Sequence, residues 1–439
     1  MPEQQGVESP VRLRQRGIGH GTLFTNAVAY LFYCIMPLWF DIHWHGLRNY
    51  HASPSTLITI NHKRDCDIII VAPVLHIKRT AFRDRLRMYF VGRDDLFESG
   101  FLTGHLPVNW PWPLGNLIHH FKLAPIMRAF SAYPISSIVN KRFGPLINDV
   151  IDIEGDIRLA DTVKENYLPT ISRQTGDDVS TLQNLTLSEV LGYEYHSLHD
   201  LITDTGVLRE GLARKVRAYS LRRIDEQLQV FAQILRDGGV CLLSPEGELS
   251  PDGRFWPVKS GLYRLLTLAH TGVTVLPVNT TYDFMTRRRM RVHVAVGEEI
   301  VVTGPTTKLE LEHRVQHAIV SLGRVTMGQI GSEYLLWRLE AGKDTVTEAE
   351  LDGALGARAL VLKHAGLNLD ERLTHEKAFH RRLRDFIAYC VGKRMLLRKA
   401  RGVYLINPYR TEVYLGERRQ DPLVYSHNEL KSLLEHASR

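Results

Sequence analysis

The chain has 439 residues, with 55 Lys+Arg against 48 Asp+Glu and a formal net charge of +7. Its 44% hydrophobic and 23% charged residues are ordinary globular values, which exclude a disordered, collagenous or polytopic membrane protein. The length suits two or three domains, and the basic surplus calls for an anionic partner or a merely solvated surface.

The first feature along the chain is the apolar stretch 21–40, which has no charged residue and is preceded by Arg12, Arg14 and Arg16. About twenty apolar residues suffice to span a bilayer. Asn26 and Pro37 interrupt the run, however, and aromatics such as Tyr30, Phe32, Tyr33, Trp39 and Phe40 suit a membrane interface at least as well as its core. We therefore expect a membrane-contacting helix that lies on or shallowly in the membrane, with a buried core helix as the alternative. If the segment spans, the arginines put its start on the cytoplasmic side. No small-x-small cleavage site follows it.

TLITI at 56–60 reads as a buried strand, Asn61 to Asp67 as a turn, and IIIVAPVL as a helix start. Further strands are expected at 88–92, 240–244 and 273–279, and helices at 221–236 and 258–270. The Trp- and Pro-rich stretch 110–137 fits either lipid headgroups or an irregular connection. Residues 148–219 change character and read as an insertion. Strands alternating with helices predict an α/β domain with a mostly parallel sheet, its chemistry at the carboxyl ends of the strands. After about residue 303 the pattern turns helical, with amphipathic helices at 345–364 and 376–391 and a short strand at 401–406. The expected division is 1–50 as a membrane-contacting segment, 51–303 as the α/β domain with its insertion, and 304–439 as a small, mainly helical domain.

Cys34, Cys66, Cys241 and Cys390 lie far apart, without a Cys-x-x-Cys pair or a Cys/His cluster at metal spacing. That pattern speaks for a reducing compartment and against structural zinc. A histidine followed five residues later by an aspartate occurs three times: His62/Asp67, His199/Asp204 and His380/Asp385. About one such pair is expected by chance in a chain of this composition. On a helix, five residues turn through about 500°, so the two side chains diverge by about 140° unless the histidine precedes the helix. Only His62/Asp67 follows a buried strand directly and opens an apolar helix. A neutral imidazole there could take a proton from an acceptor hydroxyl while the carboxylate fixes its tautomer. A second turn, Pro245-Glu246-Gly247, follows the strand at 240–244. Glu246 could bind acceptor hydroxyls, and Gly247 permits close backbone approach.

These residues resemble the glycerolipid (lysophospholipid) acyltransferases. Asn61, His62 and Asp67 match the Asn-His-x-x-x-x-Asp block. Pro245, Glu246 and Gly247 match the Pro-Glu-Gly turn, Lys259 and Gly261 its continuation, and Pro277 and Val278 a final apolar strand. The resemblance covers about residues 50–300 apart from the insertion. It implies transfer of a fatty acyl group from acyl-CoA or acyl carrier protein to a hydroxyl of a glycerol-phosphate or lysophospholipid-type acceptor at a membrane surface, without metal or resident cofactor. His62 would be the base, Asp67 its partner and Glu246 an acceptor contact. Two departures bear on a phosphorylated acceptor: Leu249 and Ser137 stand where the family carries phosphate-binding arginines, although Lys141 and Arg142 lie near the second. Arg93, after the strand at 88–92, could also supply positive charge.

The charge surplus is concentrated in 371–401, where ten Lys/Arg face three acids, a net +7 by itself. A helix followed by Gly402-Val403-Tyr404 could be a winged-helix-like tail and hence a nucleic-acid binder. No recognition helix or stacking motif stands out, so lipid headgroups or an acidic carrier are favoured over nucleic acid, beside the alternative of a solvated face. The expected protein is a membrane-associated enzyme on the cytoplasmic face. Its alternatives are a catalytically silent lipid- or carrier-binding protein and a nucleic-acid-binding regulator.

Overall fold

The computed structural model describes residues 22–64, 66–80, 88–97, 112–136, 141–199, 201–270, 272–303, 306–409, 412–415 and 418–437. Residues 22–88 and 235–437 form one compact unit, and 89–234 form another. The first unit begins with helix α1 (Thr22–Trp39). One stripe of it, Thr25, Ala29 and Met36, is buried, and Asn26 bonds His76 at 2.7 Å. The other side, with Tyr30, Leu31, Tyr33, Leu38 and Trp39, is exposed. Among the described residues, no helix is long and apolar enough to cross a membrane.

β1 (Phe40–His45) follows at once, then β2 (Thr56–Ile60), all five of whose residues are buried, and α2 (Asp67–Thr80). The apolar run after the turn is thus a helix, as its length required. The second unit contains β3 (Met88–Arg93) paired in parallel with β4 (Ala132–Ile135). It also contains α3 (Phe143–Glu154), several short helices and the long α4 (Glu210–Arg236). The stretch expected as an insertion contributes Val150, Leu168, Ile171, Leu198 and Val216 to an apolar core that also takes in Phe143 and Leu146 just before it.

Back in the first unit, β5 (Val240–Leu243) is followed by α5 (Gly261–Ala269), β6 (Val273–Asp283), β7 (Met290–Val296) and β8 (Ile300–Val302). Pairing is parallel for β1–β7, β6–β2 and β2–β5, and antiparallel for β6–β7 and β6–β8. The result is an α/β fold with a mixed, mostly parallel sheet flanked by helices. All eleven residues of β6 are buried, as befits a central strand covered on both faces. Sequence reasoning missed β1 and β7, although FDIHWH at 40–45 and MRVHV at 290–294 each alternate apolar with polar residues.

The C-terminal region is helical. It comprises α6 (Lys308–Ser321), α7 (Met327–Glu340), α8 (Glu348–His364), α9 (Glu376–Gly392) and α10 (Pro422–Ala437). The helix expected over 345–364 begins instead with a strand, β9 (Thr345–Thr347), because Thr347 caps α8 in a reciprocal box with Glu350. β10 (Leu396–Ala400) and β11 (Val403–Ile406) form a hairpin, and β11 pairs antiparallel with β9. The order α7–β9–α8–α9–β10–β11 is that of a winged helix. Its apolar core is continuous with Phe284 and Met285 at the end of β6.

Candidate active site

The residues between β2 and α2 are held at both ends of the His62 peptide unit by the segment after β5. Glu246 Oε1 accepts from His62 N at 3.0 Å, and Ser250 N donates to His62 O at 2.9 Å. With its backbone fixed, the His62 ring reaches Asp67, Nδ1 to Oδ2 being 3.3 Å. This is the geometry the spacing demanded: the histidine precedes the helix and the aspartate opens it.

Asp67 is fully buried and accepts from five donors. Oδ2 takes the backbone N–H groups of Lys63 (2.7 Å) and Arg64 (2.9 Å) besides the His62 ring, while Oδ1 takes Thr280 Oγ1 (3.0 Å) and the Tyr282 hydroxyl. Burial and then the Asp67 charge push the Tyr282 phenol well above its ordinary range, so it remains a donor. A carboxylate held in this way keeps its orientation. The His62 side chain, by contrast, is 22% exposed. The pair therefore combines a fixed buried carboxylate with an imidazole that solvent or substrate can reach.

Of the remaining sequence candidates, Asn61, Glu246, Gly247 and Lys259 lie in the same unit as this pair. Asn61 is buried and bonds the Thr280 backbone both ways, its Nδ2 to the carbonyl and its Oδ1 from the N–H, which locks β2 to β6. Glu246 is 4% exposed and its second oxygen accepts from Trp256 N at 3.0 Å. Both oxygens thus hold backbone, and an acceptor hydroxyl would have to share one of them. Burial raises its carboxyl above the ordinary value, against the nearby Lys63 charge and these N–H donors. Gly247 sits at φ +73, where a side chain would be strained and would press on Lys259. Lys259 itself pairs with Glu248 at 2.8 Å. Arg93 closes β3, but its side chain lies outside the described residues, as does Ser137. In the other unit, Lys141 is buried and paired with Asp149, which also takes Ser220 and Arg223. Its charge is already neutralised there.

The two other His/Asp pairs do not meet. His380 bonds Asp352 at 2.8 Å, while Asp385 accepts from Thr286 and Arg287. His199 faces the Val190 carbonyl, while Asp204 accepts from Gly206 N. Among the described residues, no group of three or more His, Cys, Asp or Glu is arranged to hold a metal ion.

Sequence reasoning missed Lys63, Arg64, Ser250, Thr280, Tyr282 and Glu429. A signal existed for two of them: Val278, Thr280 and Tyr282 alternate onto one face of β6, and two hydroxyls inside an otherwise apolar strand need partners. None existed for Glu429, about 366 positions along the chain from Lys63 by numbering, whose carboxylate lies 3.6 Å from the Lys63 ammonium. Lys63 also donates to the Gly253 carbonyl at 2.6 Å and lies over the Phe255 ring. Burial and then the Asp67 charge push the Cys66 thiol upward, away from the thiolate form that a nucleophilic cysteine uses.

No protein-family model and no curated protein matches the chain. Among solved structures it is similar to the crystal structure of a 1-acyl-sn-glycerophosphate (LPA) acyltransferase, PlsC, from Thermotoga maritima. The two are 14% identical with a TM-score of 0.34, over 70% of this chain and 78% of that one.

Proposed function

We propose that the protein is an O-acyltransferase that moves a fatty acyl group from a thioester of coenzyme A or acyl carrier protein to a hydroxyl of a glycerolipid-type acceptor. The observation that carries this reading is the His62–Asp67 pair, a reachable imidazole backed by a carboxylate that five donors hold in place. In the proposed step the substrate hydroxyl is the nucleophile. His62 takes the hydroxyl proton on the ring nitrogen turned away from Asp67 as the oxygen attacks the thioester carbonyl. The tetrahedral adduct then collapses, the C–S bond breaks, and the imidazolium returns its proton to the departing thiolate, leaving an ester and a free thiol.

Asp67 is the proposed partner of the base. Glu246 and Asn61 are the proposed clamps of the turn, Gly247 gives room for substrate, and Arg93 and Lys259 are proposed substrate contacts. Membrane attachment at the cytoplasmic face is supported by the uncharged outer side of α1 and by the arginines that precede it in sequence.

Substituting His62 by Ala should reduce ester formation by about 10³-fold or more, with Tm unchanged within a few degrees. Activity within tenfold of wild type would remove the assigned role.

One observation favours a second reading, nucleic-acid binding. The winged-helix order of the C-terminal region presents Lys377, Arg381 and Arg384 on α9, and Arg398, Lys399 and Arg401 on the hairpin, all exposed. Under that reading the full chain binds duplex DNA with an affinity that falls steeply with salt, a log–log slope of about −0.9 per neutralised phosphate.

A further inference from the structure

We infer that Arg64 is an anion-binding residue of the active site, placed to hold a phosphate group carried by one of the two substrates. The inference rests on the acyl-transfer reading and names a subsite within it.

Four cations lie at the turn and at the segment that clamps it, and three of them are committed, Arg254 being 3.6 Å from Asp252. Lys63 is buried, its ammonium spent on the Gly253 carbonyl, the Glu429 carboxylate and the Phe255 ring. Lys259 is paired with Glu248. Arg64 differs: it enters no ion pair among the described residues, and it is partly exposed. The buried carboxylate of Glu429 feels its charge, but the oxygens of Glu429 serve Lys63 and Gln329. What holds the guanidinium is aromatic, since its Cζ lies 5.4 Å from the Tyr282 ring centroid and 5.5 Å from that of Phe284.

A cation–π contact of this kind attracts the guanidinium without using its N–H donors, and the fork of a guanidinium matches the spacing of two phosphate oxygens. Tyr282, over which Arg64 lies, donates to Asp67, and the Arg64 backbone N–H donates to the same carboxylate. The guanidinium is therefore anchored to the same two residues that orient the base. Leu249 is apolar and buried, and Lys141 is paired with Asp149.

Phosphate could arrive on the acceptor or on the coenzyme A portion of the donor, and paired substrates separate the two. The acceptor pair is lysophosphatidate against monoacylglycerol. The donor pair is acyl-CoA against the same acyl group on N-acetylcysteamine. Arg64→Gln should raise KM for the phosphorylated member of one pair about tenfold or more, leave its unphosphorylated counterpart within about twofold, and be partly rescued by Arg64→Lys. The pair that responds identifies the source. An equal loss on all four substrates, or no loss on any, overturns the inference, the former by making Arg64 a structural support of Tyr282.

Binding without turnover is measured in parallel, by calorimetric titration of wild-type protein and Arg64→Gln with glycerol 3-phosphate and with coenzyme A. Binding of either probe that is weakened about tenfold in the variant supports the subsite even if no acyl transfer is found, a result that would discard only the enzymatic reading. Equal binding by both proteins, or no binding of either probe to wild type, overturns the subsite.

Discussion

The His62–Asp67 turn and the segment 371–401 hold their charges in opposite ways. In the turn, Asp67 is saturated by five donors and Lys63 is enclosed by a carboxylate and carbonyls. In the segment, eight of the ten cations (Lys377, Arg381, Arg384, Lys393, Arg394, Arg398, Lys399, Arg401) are exposed and enter no ion pair among the described residues. The other two face inward: Arg382 grips Asp283 and the Met285 carbonyl, and Arg372 grips Asp283 and Asp370. A single basic run therefore contains two populations. One holds the C-terminal helices to Asp283 at the end of β6, next to Tyr282 and its bond to Asp67, and the other is available to an anionic surface.

The sharpest way to break this comparison is to exchange an inward cation for an apolar group. Arg382→Leu leaves the fully buried Asp283 with Arg372 alone, and should cost about 3 kcal/mol of stability, measured by denaturant unfolding. A loss below 1 kcal/mol would put Arg382 with the surface population.

Neutralising three outward cations together, Lys377, Arg381 and Arg384 to Gln, should leave stability within about 0.5 kcal/mol. If the surface docks on anionic lipid, the same triple variant should weaken binding to phosphatidylserine-containing vesicles by about 1 kcal/mol per cation in a flotation assay. Unchanged vesicle binding would assign these residues to solvent.

Within the turn, Tyr282→Phe removes one of the five donors to Asp67. Under the proposed mechanism, kcat/KM should fall about tenfold, mostly in kcat, because the charge and orientation of Asp67 act on the base rather than on substrate binding. A change confined to KM would place Tyr282 in substrate binding instead.

The smallest effect concerns His45, which stands on β1 beside His293 with their ring nitrogens 3.2 Å apart. Burial first, then the charge of Arg324, lower its imidazole from the ordinary 6.5 to about 4. The folded state thus resists protonation that the unfolded chain accepts. The corresponding stability is complete above pH 6.5 and is lost as the pH falls toward 4. Burial raises the carboxyls of Glu246 and Glu429, which act with the opposite sign, favouring the fold as the pH falls. The useful quantity is therefore the difference between wild type and His45→Gln, whose unfolding free energy should decline less between pH 6.5 and 4. Parallel curves would show that His45 contributes no such slope.

The sequence by itself determined the α/β alternation, the strand at 56–60, the helix after the turn, and which of three His/Asp pairs could meet. Each of these follows from local period and chain geometry: an apolar run too long for a strand, and a histidine that must precede the helix its aspartate opens. It also located the basic segment. Only the tertiary structure decided how those charges divide, because whether an arginine faces Asp283 or solvent depends on residues about a hundred positions away. The same holds for Tyr282 and Thr280 on Asp67, for Glu429 on Lys63, and for the aromatic seat of Arg64. Hydrogen bonds and ion pairs between distant segments leave no periodic trace along the chain, so the residues that make the His62 turn rigid emerge only when β6 and α10 are packed beside it.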